Sequence, residues 1–278
     1  MFEELLINYI TQLVFSVGII GAFGVVIAFL NKLFYKTVGD SGRHIAMLTG
    51  AIGTPVHELG HVFMCLIFRH KIIEVKLFSP DPESGTLGYV KHSFNKKSIY
   101  QQIGNFFIGM GPILFGSAVL ILFMYLLVPE LSENMHATLE SIVSTHSIDG
   151  LGGFLSLIAD LFAQLFMVVF AAHNFGDVFW WVFIVICSSI ALHMNISVSD
   201  IKTSLMGTIY IAIFLLILDL ILIVINSELI YAVTETIFVG SSYVINFLSI
   251  SILMSIVLLL IAYSLKTIVT LIKKPLKL

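Results

Sequence analysis

His57, Glu58, Leu59, Gly60 and His61 form a stretch whose residue types and spacing point to a reaction. On an α-helix, residues four apart lie about 40° apart around the axis and about 6 Å along it, so the His57 and His61 imidazoles can converge on one ion. Glu58 follows the first histidine directly. From there its carboxylate reaches a water beside the ion without ligating the ion, the placement of a general base in zinc-assisted hydrolysis. A five-residue pattern with three fixed positions arises by chance in roughly one chain in a hundred of this length. Here it interrupts an apolar run, with Leu48 to Val56 before it and Val62 to Phe68 after it. Three ionisable groups at membrane depth are costly unless they pair or bind something. The expectation is a centre that takes Zn2+ as cofactor, with His57 and His61 as ligands and Glu58 as catalytic base.

A catalytic zinc site needs a third protein ligand, with water in the fourth place. The candidates are Asp149, Asp160, Asp177, His193, Asp200 and Asp219. Asp149 falls in a polar loop expected outside, whereas the two histidines lie in the inner half of a helix that ends inside at Arg69. Asp200 lies at the inner end of a later apolar window, so depth favours it; a helix-start role for Ser199 and Asp200 is the plainer reading. His193 is a substitute ligand, an oxyanion donor or a packing histidine. Asp219 interrupts an apolar run and calls for a functional or pairing role whose partner the sequence does not name. Gly50, Gly53 and Pro55 read as packing or kink residues. Cys65 and Cys187, in apolar runs, read as small buried hydrophobes.

The elements that must position these residues belong to a membrane protein. Of 278 residues, 58% are apolar and 11% charged, with a mean hydropathy of +1.04, which leaves too little polar surface to cover a water-soluble globule. The net charge of −3 carries no nucleic-acid signature. Apolar windows of about 20 residues run near 9–30, 45–68, 103–128, 174–194, 207–226 and 239–265. Alternating runs at 72–78 and 86–91 flank a Pro/Gly turn and predict a β-hairpin. Residues 129–150 are acidic and polar, and 151–172 reads as an interfacial helix, with an extra span as the alternative. Basic residues gather at 69–97 and at 266–277, which the positive-inside rule places in the cytoplasm. The expected fold is an all-α polytopic membrane protein of about six transmembrane helices, with a small membrane-associated β-hairpin between the second and third. It is read as one domain over 1–278, with its core at 45–205, the hairpin at 70–94 and an extracytoplasmic loop at 129–172. Both termini are expected in the cytoplasm of a bacterial cell.

These features together resemble the site-2 protease family of intramembrane zinc metalloproteases, in its compact bacterial form without PDZ or CBS domains. The likeness rests on the His57-to-His61 helix, the hairpin behind it, Gly109-Met110-Gly111-Pro112 on the next span, and the Asn195-to-Asp200 segment. It implies Asp200 as third ligand and Asn195 as a residue that assists the substrate carbonyl. The chain carries Phe115 where that family places Asn, and Ile201 where it places Gly after the aspartate.

The activity expected is peptide-bond hydrolysis of a membrane-embedded or membrane-associated protein or peptide. Asn195 or His193 would hold the oxyanion. The hairpin would receive an unwound substrate by strand addition, which makes Val75, Leu77, Leu87 and Tyr89 candidate substrate contacts; a plug against water is the plainer role. A catalytically silent scaffold and a metal transporter are the rival readings.

Overall fold

The computed structural model describes residues 2–81, 83, 85–145 and 150–273. In chain order its elements are α1 (Phe2–Leu13), a π turn (Val14–Gly18), α2 (Ile19–Val38), a 3-10 turn (Gly39–Ser41) and α3 (Gly42–Ile67). There follow β1 (Lys71–Lys76), β2 (Tyr89–Ser93), α4 (Ile99–Leu127), α5 (Pro129–Thr145), α6 (Gly150–Val169), a 3-10 turn (Ala172–Gly176), α7 (Val178–His193), α8 (Val198–Ile225) and α9 (Glu228–Lys273). The chain is an all-α polytopic membrane protein with one small antiparallel hairpin.

Among the described residues, five helical stretches are long and apolar enough to cross a membrane: Glu3–Ile67, Ile99–Leu127, Leu155–Gly176, Val198–Ile225 and Leu248–Ile272. The first has 65 residues, about 98 Å of helix, and so holds more than one crossing of a hydrocarbon core roughly 30 Å thick. It breaks at Gly39, whose φ of +59° is open to glycine at little cost.

Two stretches refine the expectation. The 151–172 segment, read as an interfacial helix or an extra span, forms α6, whose apolar window Leu155–Gly176 has transmembrane length. Leu157, Leu161, Leu165 and Val169 make a buried stripe along it at four-residue spacing, and the Trp180 indole donates to Val169 O at 2.9 Å. The 174–194 window shrinks to the 16 residues of α7, about 24 Å. Asp177 caps that helix by accepting from Phe179 N, and its other end stops at His193. An early stop at depth is tolerated where the bared backbone lines a cavity within the protein.

The centre of the bundle is α4, which packs on α3, α7, α8 and α9. Water does not drive helices together inside a bilayer, so close van der Waals approach at small residues carries the packing. Gly111 meets Gly60 of α3: a methyl group on Gly60 would stand 2.6 Å from Gly111 O and 2.8 Å from Pro112 Cα. Two residues earlier, on the opposite side of α4, Gly109 meets α8, where a methyl group would stand 2.5 Å from Asp200 O and collide with the Ser204 hydroxyl. Elsewhere Asp219, fully buried, accepts from Gln12 Nε2 at 3.0 Å, and Gln12 Nε2 also reaches Thr234 Oγ1 at 3.0 Å. This three-helix polar contact supplies the partner that Asp219 needed.

The hairpin is shorter and differently placed than expected. β1 pairs with β2 from Lys71↔Ser93 to Lys76↔Tyr89, with a bulge between Ile72 and Glu74. Residues 77–88 form the connection, held by Ser79 N to Leu87 O and Asp81 N to Thr86 O. The second strand starts at Tyr89, three residues after its expected start at 86, because the chain turns at Gly85, φ +71°, and 86–88 belong to the connection.

Candidate metal centre

Each ligand candidate arrives on its own terms. His57 and His61 lie one turn apart on α3, with ring centroids 5.1 Å apart. His57 Nδ1 faces His193 O at 2.7 Å and His61 Nδ1 faces Ile108 O at 2.8 Å. A carbonyl only accepts, so in each neutral ring the proton is on Nδ1 and the lone pair on Nε2. Backbone carbonyls in that position are what fixes the tautomer of metal-ligating histidines. Asp200 comes from the first turn of α8. One carboxylate oxygen, Oδ2, accepts from Ser197 N at 2.9 Å, while the Ser197 hydroxyl accepts from Asp200 N at 3.1 Å, a capping box. The other, Oδ1, stands 3.6 Å from His61 Nε2. That gap is too long for a hydrogen bond. It is close to the roughly 3.4 Å separating an N and an O ligand on one tetrahedral zinc.

The ligand atoms of His57, His61 and Asp200 all lie within 4.8 Å of one another. Two aligned histidine lone pairs and a carboxylate oxygen fit a zinc ion by donor type and spacing. The helix-start role and the ligand role proposed for Asp200 are compatible, because the two oxygens divide them. Among the described residues the other candidates fall away. Asp160 lies on the exposed side of α6, Asp177 caps α7 and Asp219 pairs with Gln12. Asp149 lies outside the described residues.

His193 is not in the ligand group. Its ring is gripped by two threonines of α3, Thr49 Oγ1 at 2.9 Å from Nε2 and Thr54 Oγ1 at 3.3 Å from Nδ1, and it packs on Gly50 and Gly53. Gly53 is needed there, since a methyl group on it would strike Ser189 O and the His193 side chain. The His193 carbonyl orients His57. Phe115 packs on Phe63. Ile201 is exposed.

Glu58, buried, lines a cavity of about 320 Å³ together with Thr54, His57, His193, Asn195 and the hairpin connection at Gly85, Leu87 and Gly88. Asn195 is held by its oxygen, which accepts from Asn31 Nδ2 at 3.0 Å, and its own Nδ2 donates to Leu192 O at 3.2 Å. Asn31 itself is fully buried, donating also to Ala191 O and accepting from Ser255. Sequence reasoning passed over Asn31; the signal was a carboxamide inside an apolar span.

Of the four candidate substrate contacts, Leu87 lines this cavity. Val75 pairs with Val90 inside the sheet, Leu77 lies past the end of β1, and Tyr89 donates from its hydroxyl to Glu74 Oε1. That bond, with the Lys91 ammonium at 2.9 Å behind it, holds the Glu74 carboxyl below its ordinary range. A second cleft of about 680 Å³, lined by Tyr35, Arg43, Met47, Pro80 and Asp81 among others, shares Gly85 and Leu87 with the first. The hairpin connection therefore borders both this cleft and the cavity of Glu58.

No family model, curated protein or solved structure matches this chain.

Proposed function

We propose that this chain is a zinc metalloendopeptidase that hydrolyses peptide bonds of membrane-embedded or membrane-associated substrates. The observation that carries the reading is the convergence of His57, His61 and Asp200 beside the buried Glu58, in a cavity bordered by the hairpin connection. Zinc held by those three side chains would supply Lewis acidity, polarising the scissile carbonyl and easing loss of a proton from water. Glu58 takes the proton of the attacking water and returns it to the leaving amine. Asn195, its oxygen pinned by Asn31, has a second Nδ2 hydrogen to offer the carbonyl oxygen as charge grows on it. His193 positions His57 through its carbonyl. A transmembrane substrate must unwind to be cut, and the position of the hairpin connection at Gly85, Leu87 and Gly88 beside the cavity supports recognition there by strand addition. The basic residues at 69–97 and 266–277 support a cytoplasmic hairpin and C-terminus in a cell membrane.

Glu58→Gln tests the reading against a silent scaffold. The purified full chain in detergent, incubated with a single-span membrane protein carrying a Gly-Pro break in its span, should yield fragments identifiable by mass spectrometry. The variant should retain zinc and lose cleavage by roughly 10²- to 10⁴-fold. Unchanged cleavage in Glu58→Gln would remove Glu58 from the chemistry. The transporter reading is weakened because Asp177 and Asp219, which would mark its path, are engaged as a helix cap and a carboxamide partner.

A further inference from the structure

The helix face that carries His57 and His61 continues one turn further to Cys65, and a second group of donor atoms meets there. Cys65 is fully buried, His70 is 5% exposed and His92 is half-buried, and their ligand atoms all lie within 4.8 Å of one another. Each comes from a different element: Cys65 from the last turns of α3, His70 from the turn that follows, and His92 from β2.

The local backbone brings them together. Arg69 adopts a φ of +55°, in the left-handed region that non-glycine residues rarely enter. The turn it makes folds the chain back so that His70 N donates to Cys65 O at 2.8 Å. The antiparallel register then pairs His92 with Ile72 and swings its ring over His70, Nδ1 to Nδ1 at 3.2 Å. His70 Nε2 lies 2.9 Å from Gln101 O. Since that carbonyl accepts, the neutral His70 ring carries its proton on Nε2 and directs the Nδ1 lone pair at the other two donors. The same arrangement of carbonyl, ring and inward lone pair holds His57 and His61. His70 is also stacked on Phe94, centroids 5.0 Å apart, and Gln101 fastens the turn by donating to Arg69 O. A hydrogen bond between two imidazoles accounts for the 3.2 Å contact alone. It does not account for a thiol brought to the same point.

We propose that Cys65, His70 and His92 form a second metal site, selective for a thiophilic ion of the zinc class, that fastens the base of the hairpin to α3. A thiolate with two imidazoles is a borderline-soft donor set suited to zinc, and two nitrogens on one tetrahedral zinc lie roughly 3.3 Å apart. On coordination the Cys65 thiol gives its proton to solvent and the sulfur binds as thiolate; no oxidation is involved. The site is separate from the proposed protease centre, whose donors include no sulfur, and the inference does not depend on that activity.

Cobalt(II) is the probe, because a thiolate ligand gives cobalt a near-ultraviolet charge-transfer band that nitrogen and oxygen ligands do not. The full chain in detergent, stripped by chelator and titrated with Co2+, should show the band. It should persist in His57→Ala/His61→Ala, which abolishes the first centre, and in Cys187→Ala, and vanish in Cys65→Ala. Zinc bound per chain should fall by one equivalent in Cys65→Ala and in His92→Gln. Absence of the band from the unsubstituted protein at saturating Co2+ overturns the proposal without any variant having to fold. A band that survives Cys65→Ala overturns it equally.

Discussion

Replacing Asp200 by Asn separates the two jobs of its carboxylate. The amide keeps an oxygen for Ser197 N, and the Ser197 hydroxyl still accepts from the backbone N–H of residue 200, so the start of α8 survives. What changes is the charged oxygen 3.6 Å from His61 Nε2. Loss of outer-shell partners alone weakens metal sites 10- to 100-fold, and loss of an anionic ligand should weaken this one by at least about 100-fold. With zinc supplied at 100 times the dissociation constant of the unsubstituted protein, binding stabilises the fold by about 2.7 kcal/mol; a 100-fold weaker site gains only about 0.4 kcal/mol. The expected difference is thus about 2.3 kcal/mol in zinc-dependent stability, with metal-free stability little altered. Asp200→Ala should lose this increment and, in addition, about 1 kcal/mol of metal-free stability from the broken cap. The assay is thermal unfolding in detergent with and without zinc, in a Cys65→Ala background so that only the first centre contributes. An Asn variant that keeps the full zinc increment would reduce Asp200 to a helix cap and refute its role as ligand.

Two further substitutions probe the supports. Gly60→Ala drives a methyl group onto the Gly111 carbonyl oxygen at 2.6 Å, where backbone must yield; overpacking of this kind costs about 1–3 kcal/mol, and zinc content should fall with it because Ile108 O, on the same stretch of α4, orients His61. Thermal unfolding and metal analysis read both, and a variant of unchanged stability and zinc content would deny the close crossing. Asn31→Ala releases the Asn195 oxygen and should lower kcat roughly tenfold, about 1.4 kcal/mol, at unchanged zinc content. In an Asn195→Ala background it should cost much less, and a full additive loss there would show that Asn31 acts on the fold and not through Asn195.

What the sequence made legible were features whose cause is local. The four-residue spacing of His57 and His61 is a property of any helix, and the apolar windows needed no knowledge of what packs on what. Asp200 was reached through depth and through resemblance, yet the capping box that orients it was also written locally, in Ser197 and Asp200. The hairpin was legible as alternation, but its register depended on the bulge between Ile72 and Glu74, and alternation carries no mark of a bulge. Where the cause is tertiary, the sequence says less: 151–172 reads as an interfacial helix or an extra span, and the burial of Leu157, Leu161, Leu165 and Val169 depends on what packs against them.

Gly109 and Gly111 show why the remainder was out of reach. Their spacing on α4 was visible, as one part of a resemblance, but a glycine does not say which helix approaches it. Gly111 admits the backbone of α3 at the residue between the two histidines' turns, and Gly109 admits α8 at Asp200. Ile108, immediately before Gly109, supplies the carbonyl that sets the His61 tautomer. Three ligand candidates on two helices can meet only if the helix separating those two is thin at both contacts. The short α7 works in the same sense: by stopping at His193 it bares a carbonyl for His57 and leaves Asn195 in a non-helical turn. Polar groups persist at this depth because glycines and an early helix end bring backbone to them, and each such approach is a fact about two segments distant in the chain.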